Sequence, residues 1–405
     1  MDSITAETVK EYARESGVTH FEARDDTFWK EMSELTGTEL WLDTGDIDAA
    51  SELWNTSFRG LTTNNTLLNR EIQKGIYDNV IRDVAAGLSG LDIREKVMEI
   101  AFFLNALHGV KLAARFDARV SVELHTDCAH DIEKTLRYAK RFHEIDPDNF
   151  IVKIPLTPEG YIGARRAADQ GIPVNFTLGF SARHNYVAAC FSHPSYVNVF
   201  LGRINSYIQS NGLGKGEPAG EKTTLASRSS IASVPETTTR QIAASMRSGD
   251  QVGSLAGVDV FTMPVTVAEE ARKTLSGEWA VHTHEDYTAE LGSGAEEEAV
   301  RLDVLWEISD EIKAYTEQIC STVPGSADEF RTAAREFGTG DMFPDFTEED
   351  LNTIAADGKI PVHEKWASGI QQGNCAVDSL LNLAGLASFT ADQNELDRRI
   401  EGLIS

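Results

Sequence analysis

The sequence predicts an α/β protein, a closed (β/α)8 TIM-type barrel with additional N- and C-terminal helices. Three observations predict it. From about Glu39 to Thr262 short β-rich runs alternate with longer helical stretches, the pattern of βα units around a parallel sheet. There are eight such runs, the number that closes a barrel. One of them, Phe150-Ile151-Val152-Lys153-Ile154-Pro155, is apolar almost throughout, as strands covered on both faces are. An open doubly wound sheet is the alternative use of the same units.

Residues 1–38 read as one or two amphipathic helices capping the barrel, with Phe21, Phe28 and Trp29 available for docking. The barrel core is expected over residues 39–275. Its strands are expected at Glu39 to Thr44, Gly60 to Thr63, Val120 to Leu124, Phe150 to Ile154, Pro173 to Leu178, Tyr196 to Phe200, Thr223 to Ser227 and Val258 to Thr262. Ser210 to Glu221, holding Gly212, Gly214, Gly216, Pro218 and Gly220, is too glycine-rich for a packed element and reads as a loop near the site. Residues 276–405 read as helices packed on the barrel, including Leu302 to Ile319 and Asp328 to Phe337, after a loose stretch at Leu291 to Glu298. A further helix is expected after Thr347, whose hydroxyl precedes the carboxylate of Asp350 by three residues in a variant of the capping box.

Composition excludes several function classes. With 405 residues and 41% hydrophobic content the chain can bury a large core. A formal charge of -27 argues against nucleic-acid or anionic-membrane surfaces, which need a basic excess; any phosphate must be held locally. The four cysteines, Cys128, Cys190, Cys320 and Cys375, are far apart and suggest neither a disulfide framework nor a zinc knuckle. No basic segment leads into an apolar stretch at the N-terminus, and no uninterrupted apolar run reaches the length of a membrane span, so a cytoplasmic protein is expected. No nucleotide-binding glycine motif occurs and the ten histidines form no H-x-x-x-H pair with a carboxylate partner, so neither metal nor cofactor is expected. A homo-oligomer is left open.

Lys153 carries the chemistry. In a strand covered on both faces its amine points into a closed interior, where desolvation disfavours the ammonium and leaves a neutral nucleophile. A lysine at a strand end that snorkels to the surface is the plain alternative. The other polar residues at or near strand C-termini, where barrel active sites lie, weigh against it: Asp43, Asn64, Glu123, Asn175 and Thr177. Asn175 and Thr177 are two apart and share a face between Val174, Phe176 and Leu178.

These motifs, in this order, resemble the transaldolase family: Leu42-Asp43-Thr44, Thr62-Thr63-Asn64, Val122-Glu123, Ile151 to Pro155, Asn175-Phe176-Thr177-Leu178, and a last-strand segment from Leu255 to Pro264. The stretch from Lys153 through Thr157-Pro158-Glu159-Gly160 is the most specific. The resemblance implies a metal-free class I aldol mechanism. Lys153 would form the Schiff base, Glu123 with Thr177 would hold a proton-shuttling water, and Asp43 would take the hydroxyl proton as the carbon-carbon bond breaks. Thr62, Asn64 and Asn175 would bind the three-carbon unit, and Phe200, Arg203 and Arg228 the rest of the sugar phosphate, donor ketose or acceptor aldose. Asn65 stands where the family usually has proline, Leu124-His125-Thr126-Asp127 departs from the usual sequence after the glutamate, and Asn198-Val199 replaces a usual serine and proline. Beyond about Thr274 no motif matches, and Asp357-Gly358-Lys359-Ile360-Pro361 reads as a structural turn or a lid. Two alternatives remain: a related Schiff-base aldolase or lyase with another donor or acceptor, and a sugar-phosphate-binding barrel without catalysis.

Overall fold

The computed structural model describes residues 4–292 and 297–405. Part of the loose stretch expected at Leu291 to Glu298 lies outside those residues. Eight strands, β1 (Glu39–Asp43), β2 (Phe58–Thr62), β3 (Arg119–Glu123), β4 (Phe150–Pro155), β5 (Val174–Thr177), β6 (Tyr196–Phe200), β7 (Arg240–Ala244) and β8 (Val260–Met263), pair in chain order, and β8 returns to β1. All pairs are parallel. The result is a closed (β/α)8 barrel with extra helices before and after it.

Alternation along each strand decides what faces where. On β4, Phe150 turns outward, its ring 6.2 Å from that of Phe142 on the helix Ile132–Ile145. On β5, Phe176 turns outward onto Tyr161, 5.3 Å between centroids. Lys153, Asn175 and Thr177 are therefore left to the interior. The lower end of the barrel is filled by aromatic and ionic groups: Trp41 lies 4.9 Å from Tyr196 and donates to Glu39 at 2.6 Å, Arg240 also pairs with Glu39, and Arg119 donates to the Tyr196 hydroxyl. A side chain at Gly60 would meet the Trp41 ring at 2.8 Å, so only glycine lets β2 pass the indole.

The seventh strand differs from expectation. Thr223 to Ser227 lies inside a helix, Ala219–Ala232, and β7 comes later. The β-branched pair that suggested a strand is accommodated by the helix itself, since the Thr223 and Thr224 hydroxyls each donate to the carbonyl four residues back at 2.8 Å. Arg240-Gln-Ile-Ala-Ala carries little β propensity and is a strand because the barrel covers it.

The helix Ile93–Phe116 is by length and composition able to cross a membrane, a feature that an uninterrupted-run criterion misses because charges crowd its first turns. Here 72% of its apolar window is buried inside the molecule. It packs on β3 and on the N-terminal helix Ala6–Glu15, which therefore lies along the barrel's side. The second helix, Thr27–Thr36, buries Phe28 and Trp29, with Trp29 5.6 Å from Phe58 at the start of β2. Thr347 and Asp350 form a reciprocal capping box at the head of the helix Glu348–Asp357.

The last helix, Val377–Ile404, runs across the C-terminal end of the barrel. At its start the buried Arg183, on the helix after β5, donates to both carboxylate oxygens of Asp378 at 2.8 Å and to Asp341 at 3.0 Å. Asn382 then donates to the Leu178 carbonyl just past β5. Further along, Asp392 accepts from Thr66 and Glu395 from Asn69, both on the helix Asn65–Gln73 that follows β2. A side chain at Gly385 would meet Leu178 at 2.7 Å and Arg203 at 3.0 Å, so this glycine sets how closely the helix crosses the opening.

Candidate active site

Strand register assembles the site. Glu123, Lys153 and Asn175 are direct partners across β3, β4 and β5, and Asp43 is the partner of Thr62 across β1 and β2. In parallel strands partners share a face, so one layer of the interior holds an acid, an amine and an amide side by side. The Lys153 amine, on a side chain only 2% exposed, lies 3.2 Å from Glu123 Oε2 and donates to the Thr63 carbonyl at 3.2 Å. Asn175 donates to Ser121 Oγ at 2.9 Å, while its Oδ1 and the Thr177 hydroxyl make no hydrogen bond to described residues. Most buried polar side-chain atoms in folded proteins have a partner.

A cavity of about 260 Å³ opens above this layer. Asp43, Thr62, Asn64, Lys153 and Asn175 line it, with Thr262 donating to Thr62 across the interior at 2.8 Å. Phe200 and, from the last helix, Phe389 form apolar walls, and the Phe389 ring centroid is 5.8 Å from the Lys153 amine. Asn64 is held although Asn65 replaces a proline: its Oδ1 accepts from Leu67 N at 2.8 Å, capping the helix Asn65–Gln73, which leaves the amide nitrogen for the cavity. Thr157 and Gly160, in the stretch after Lys153, serve structure: Thr157 Oγ1 caps the next helix by accepting from Gly160 N and donates to the Ala129 carbonyl.

Burial raises the Glu123 carboxyl above the ordinary range, opposed by Lys153. It raises Asp43 as well, against the pull of Lys153, Arg247, Arg203 and Arg70. For the Lys153–Glu123 pair, moving one proton from amine to carboxylate removes two buried charges and leaves a neutral amine beside a carboxylic acid. That is the state in which the amine attacks a carbonyl.

Arg203 stands in the first turn of the helix Leu201–Ser210, directly after β6. It is 6% exposed, its guanidinium lies 5.2 Å from the Phe200 ring and 5.5 Å from Phe389, and Nη1 has no partner among the described residues. Burial, then the neighbouring Arg247, pushes it down to about 10. Arg228 is elsewhere. It lies on the helix Ala219–Ala232 and pairs with Asp259 at 3.0 Å, before the start of β8 at the opposite end of the barrel, a displacement that follows from the misplaced seventh strand. The cation that lines the cavity near Arg203 is Arg247, three residues after β7 as Arg203 is three after β6. Sequence reasoning missed Arg247 for that reason, and the matching spacing was the signal. Gly202 allows the two to be neighbours, because a side chain there would meet Ser245 and Arg247 Cγ, the latter at 2.7 Å. Ser245, Arg70 and Lys359 also line the cavity and were not anticipated as site residues.

His125 does not line this cavity. Its Nδ1 accepts from Asp127 N at 3.0 Å, which leaves the proton on Nε2 facing Asp397 at 3.1 Å, so it ties the end of β3 to the last helix. Asn198 does line it, with Oδ1 accepting from Gly179 N at 3.2 Å. Among the described residues no group of three or more His, Cys, Asp or Glu side chains is arranged to hold a metal ion.

Comparison with known proteins decides the relationship. A model of the family described as transaldolase/fructose-6-phosphate aldolase matches residues 40–312, about two thirds of the chain. The chain belongs to the transaldolase/fructose-6-phosphate aldolase family. It is 31% identical over 239 residues to a transaldolase of Xanthomonas euvesicatoria pv. vesicatoria, covering 56% of this chain and 73% of that one. It is similar to a transaldolase of Trichormus variabilis, 26% identical over 256 residues with 59% and 75% covered, and to transaldolase 2 of Nostoc punctiforme, 33% over 169 residues with 39% and 44% covered. The transaldolase-family match begins at β1 and ends before Lys359 and the last helix.

Proposed function

We propose that this protein is a transaldolase, moving a dihydroxyacetone unit between sugar phosphates of the pentose phosphate pathway through a Schiff base on Lys153. The observation that carries the proposal is the buried Lys153 amine, 3.2 Å from Glu123, on a cavity that Asp43, Asn64 and Asn175 also line.

In this mechanism neutral Lys153 attacks the ketose carbonyl carbon, and the oxygen takes a proton to give a carbinolamine. Glu123 and the Thr177 hydroxyl hold the water through which the carbinolamine hydroxyl is protonated and expelled, leaving an iminium. Asp43 takes the proton of the hydroxyl next to the scissile bond. The bond's electron pair moves into the iminium, so an aldose leaves and an enamine stays on Lys153. Attack of the enamine on an acceptor aldehyde and hydrolysis reverse these steps. Asn64 and Asn175 hold the hydroxyls of the three-carbon unit, and Arg203 with Arg247 binds the phosphate as paired donors.

Borohydride reduction in the presence of fructose 6-phosphate, followed by peptide mass mapping, tests the chemistry. A three- or six-carbon adduct on Lys153 is expected, and its absence with several ketose phosphates would overturn the Schiff-base reading. Supplying the ketose alone separates transferase from lyase: a transferase stalls after one turnover, a lyase continues. Lys153→Ala is expected to abolish turnover, whereas a binding-only barrel has none to lose.

A further inference from the structure

Four cations line the outer part of the cavity: Arg70, Arg203, Arg247 and Lys359. No ion pair within 4 Å involves any of them among the described residues, although the chain carries a formal charge of -27; Arg70, Arg247 and Lys359 are exposed, but Arg203 is as buried as Arg183, which is fully paired. Unpaired like charges gathered around one cavity repel one another unless an anion joins them. Arg203 and Arg247 follow strand ends and account for one phosphate in the function proposed above. Lys359 reaches the same cavity from outside the barrel, on the turn between the helices Glu348–Asp357 and His363–Gln371.

That turn is built to stay in place. Gly358 has φ 77°, a conformation that side chains disfavour. Asp357 pairs with Lys365 and accepts from Val362 N at 3.0 Å. Asn211 donates to the Pro361 carbonyl at 3.0 Å and accepts from His363 N at 2.8 Å, while the Tyr207 hydroxyl meets His363 Nδ1 at 2.7 Å. Tyr207 lies on the helix Leu201–Ser210, and Asn211 is its C-terminal cap. One helix therefore carries Arg203 in its first turn and anchors the Lys359 turn with its last. Burial and the nearness of Arg203 hold the Lys359 ammonium below its usual range, with Asp392 opposing and Arg70 and Arg247 adding to the effect. A bound dianion relieves that repulsion.

We propose that Lys359 is a specificity-determining residue, whose ammonium joins Arg203 and Arg247 in binding the substrate phosphate, so that the segment beyond the barrel takes part in choosing phosphorylated over unphosphorylated sugars. The proposal rests on the transaldolase reading for its substrates but not for its anion site. The Lys359 side chain is partly exposed to solvent, so Lys359→Met should fold.

The test compares kcat/KM for a phosphorylated three-carbon aldehyde with that for its unphosphorylated counterpart. Lys359→Met is expected to lower the ratio roughly tenfold, as for one charge-assisted hydrogen bond. Lys359→Arg should restore most of the ratio. Asn211→Ala, which changes no charge, should lower it part of the way by loosening the turn. An unchanged ratio in Lys359→Met, or an equal loss with both aldehydes, overturns the proposal. In parallel, inorganic phosphate is titrated against the thermal transition of the intact protein, which needs no turnover. Lys359→Met is expected to weaken its binding roughly tenfold. If phosphate binding depends on Lys359 while no Lys153 adduct forms, the anion site stands and the transaldolase reading falls; an adduct with phosphate binding indifferent to Lys359 means the reverse.

Discussion

Asp43 and Glu123 are both carboxyls that burial pushes up and Lys153 opposes, but only Glu123 lies within ion-pair distance of that amine. Asp43 must be ionised to take a proton, and ionisation there is costly. Its contribution to stability is present below the unfolded pKa and lost as pH rises through the raised folded one. Asp43→Asn is therefore expected to lower kcat by roughly 10² to 10⁴ while raising the thermal transition at pH 8. After borohydride treatment with fructose 6-phosphate, the variant should accumulate the six-carbon adduct. In the unmodified enzyme, kcat/KM should fall on acidification at a pH above the ordinary aspartate value of about 3.9. An acid limb at or below that value would count against Asp43 as the base. Lys153, Glu123, Asp43, Asn64, Asn175 and Thr177 were legible in the sequence because each sits at or near a strand end with a clear period-2 pattern. Arg247 was not, because no such pattern preceded it.

Among the elements, β4 is closely hemmed in at its C-terminal end. Gly160, five residues after its end, packs against the Pro155 carbonyl so closely that a side chain would overlap it. Gly160→Ala should cost about 1–3 kcal/mol and shift the end of the strand that carries Lys153. Calorimetry reads the first effect, and a fall in kcat larger than any rise in KM reads the second; a variant with normal Tm and kcat would refute the argument. Seven strands were found from sequence within a few residues of their observed positions. The seventh failed because Thr223 and Thr224 satisfy their hydroxyls within a helix, whereas Gln241 to Ala244 owe their extended form to neighbouring strands. Local composition cannot report a contact made across such sequence distance.

For the molecule as a whole, one join between barrel and last helix is the cluster of the buried Arg183, Asp378 and Asp341 with the half-buried Arg301. Burial alone would raise the Asp378 carboxyl, yet Arg183 and then His184 hold it well below the usual range. A depressed pKa adds stability above the unfolded value, lost only as pH falls through the folded one. Asp378→Ala should therefore cost about 3–5 kcal/mol at neutral pH, as removal of one member of a buried pair does. It should also flatten the dependence of stability on pH below about 4. Urea unfolding at several pH values measures both, and an unchanged neutral-pH stability would show that the cluster does not join the two parts. Most helices beyond the barrel were legible as helices, although the one expected from Leu302 to Ile319 is a 3-10 turn at Leu302–Leu305 followed by a helix only from Asp310; their place over the cavity was not legible, because Phe389 and Lys359 belong to no strand and gain their position only by docking.

The crossing of the cavity by the last helix also bears on the order in which the protein matures. All eight strands have been synthesised once the chain reaches Met263, well before Lys359 and Phe389 are added. A nascent barrel thus carries its reactive amine in an open, wet cup, and competence arrives only when late-made segments settle over it. On refolding, catalytic activity should return more slowly than the far-ultraviolet signal of the barrel, with the docking step setting the delay.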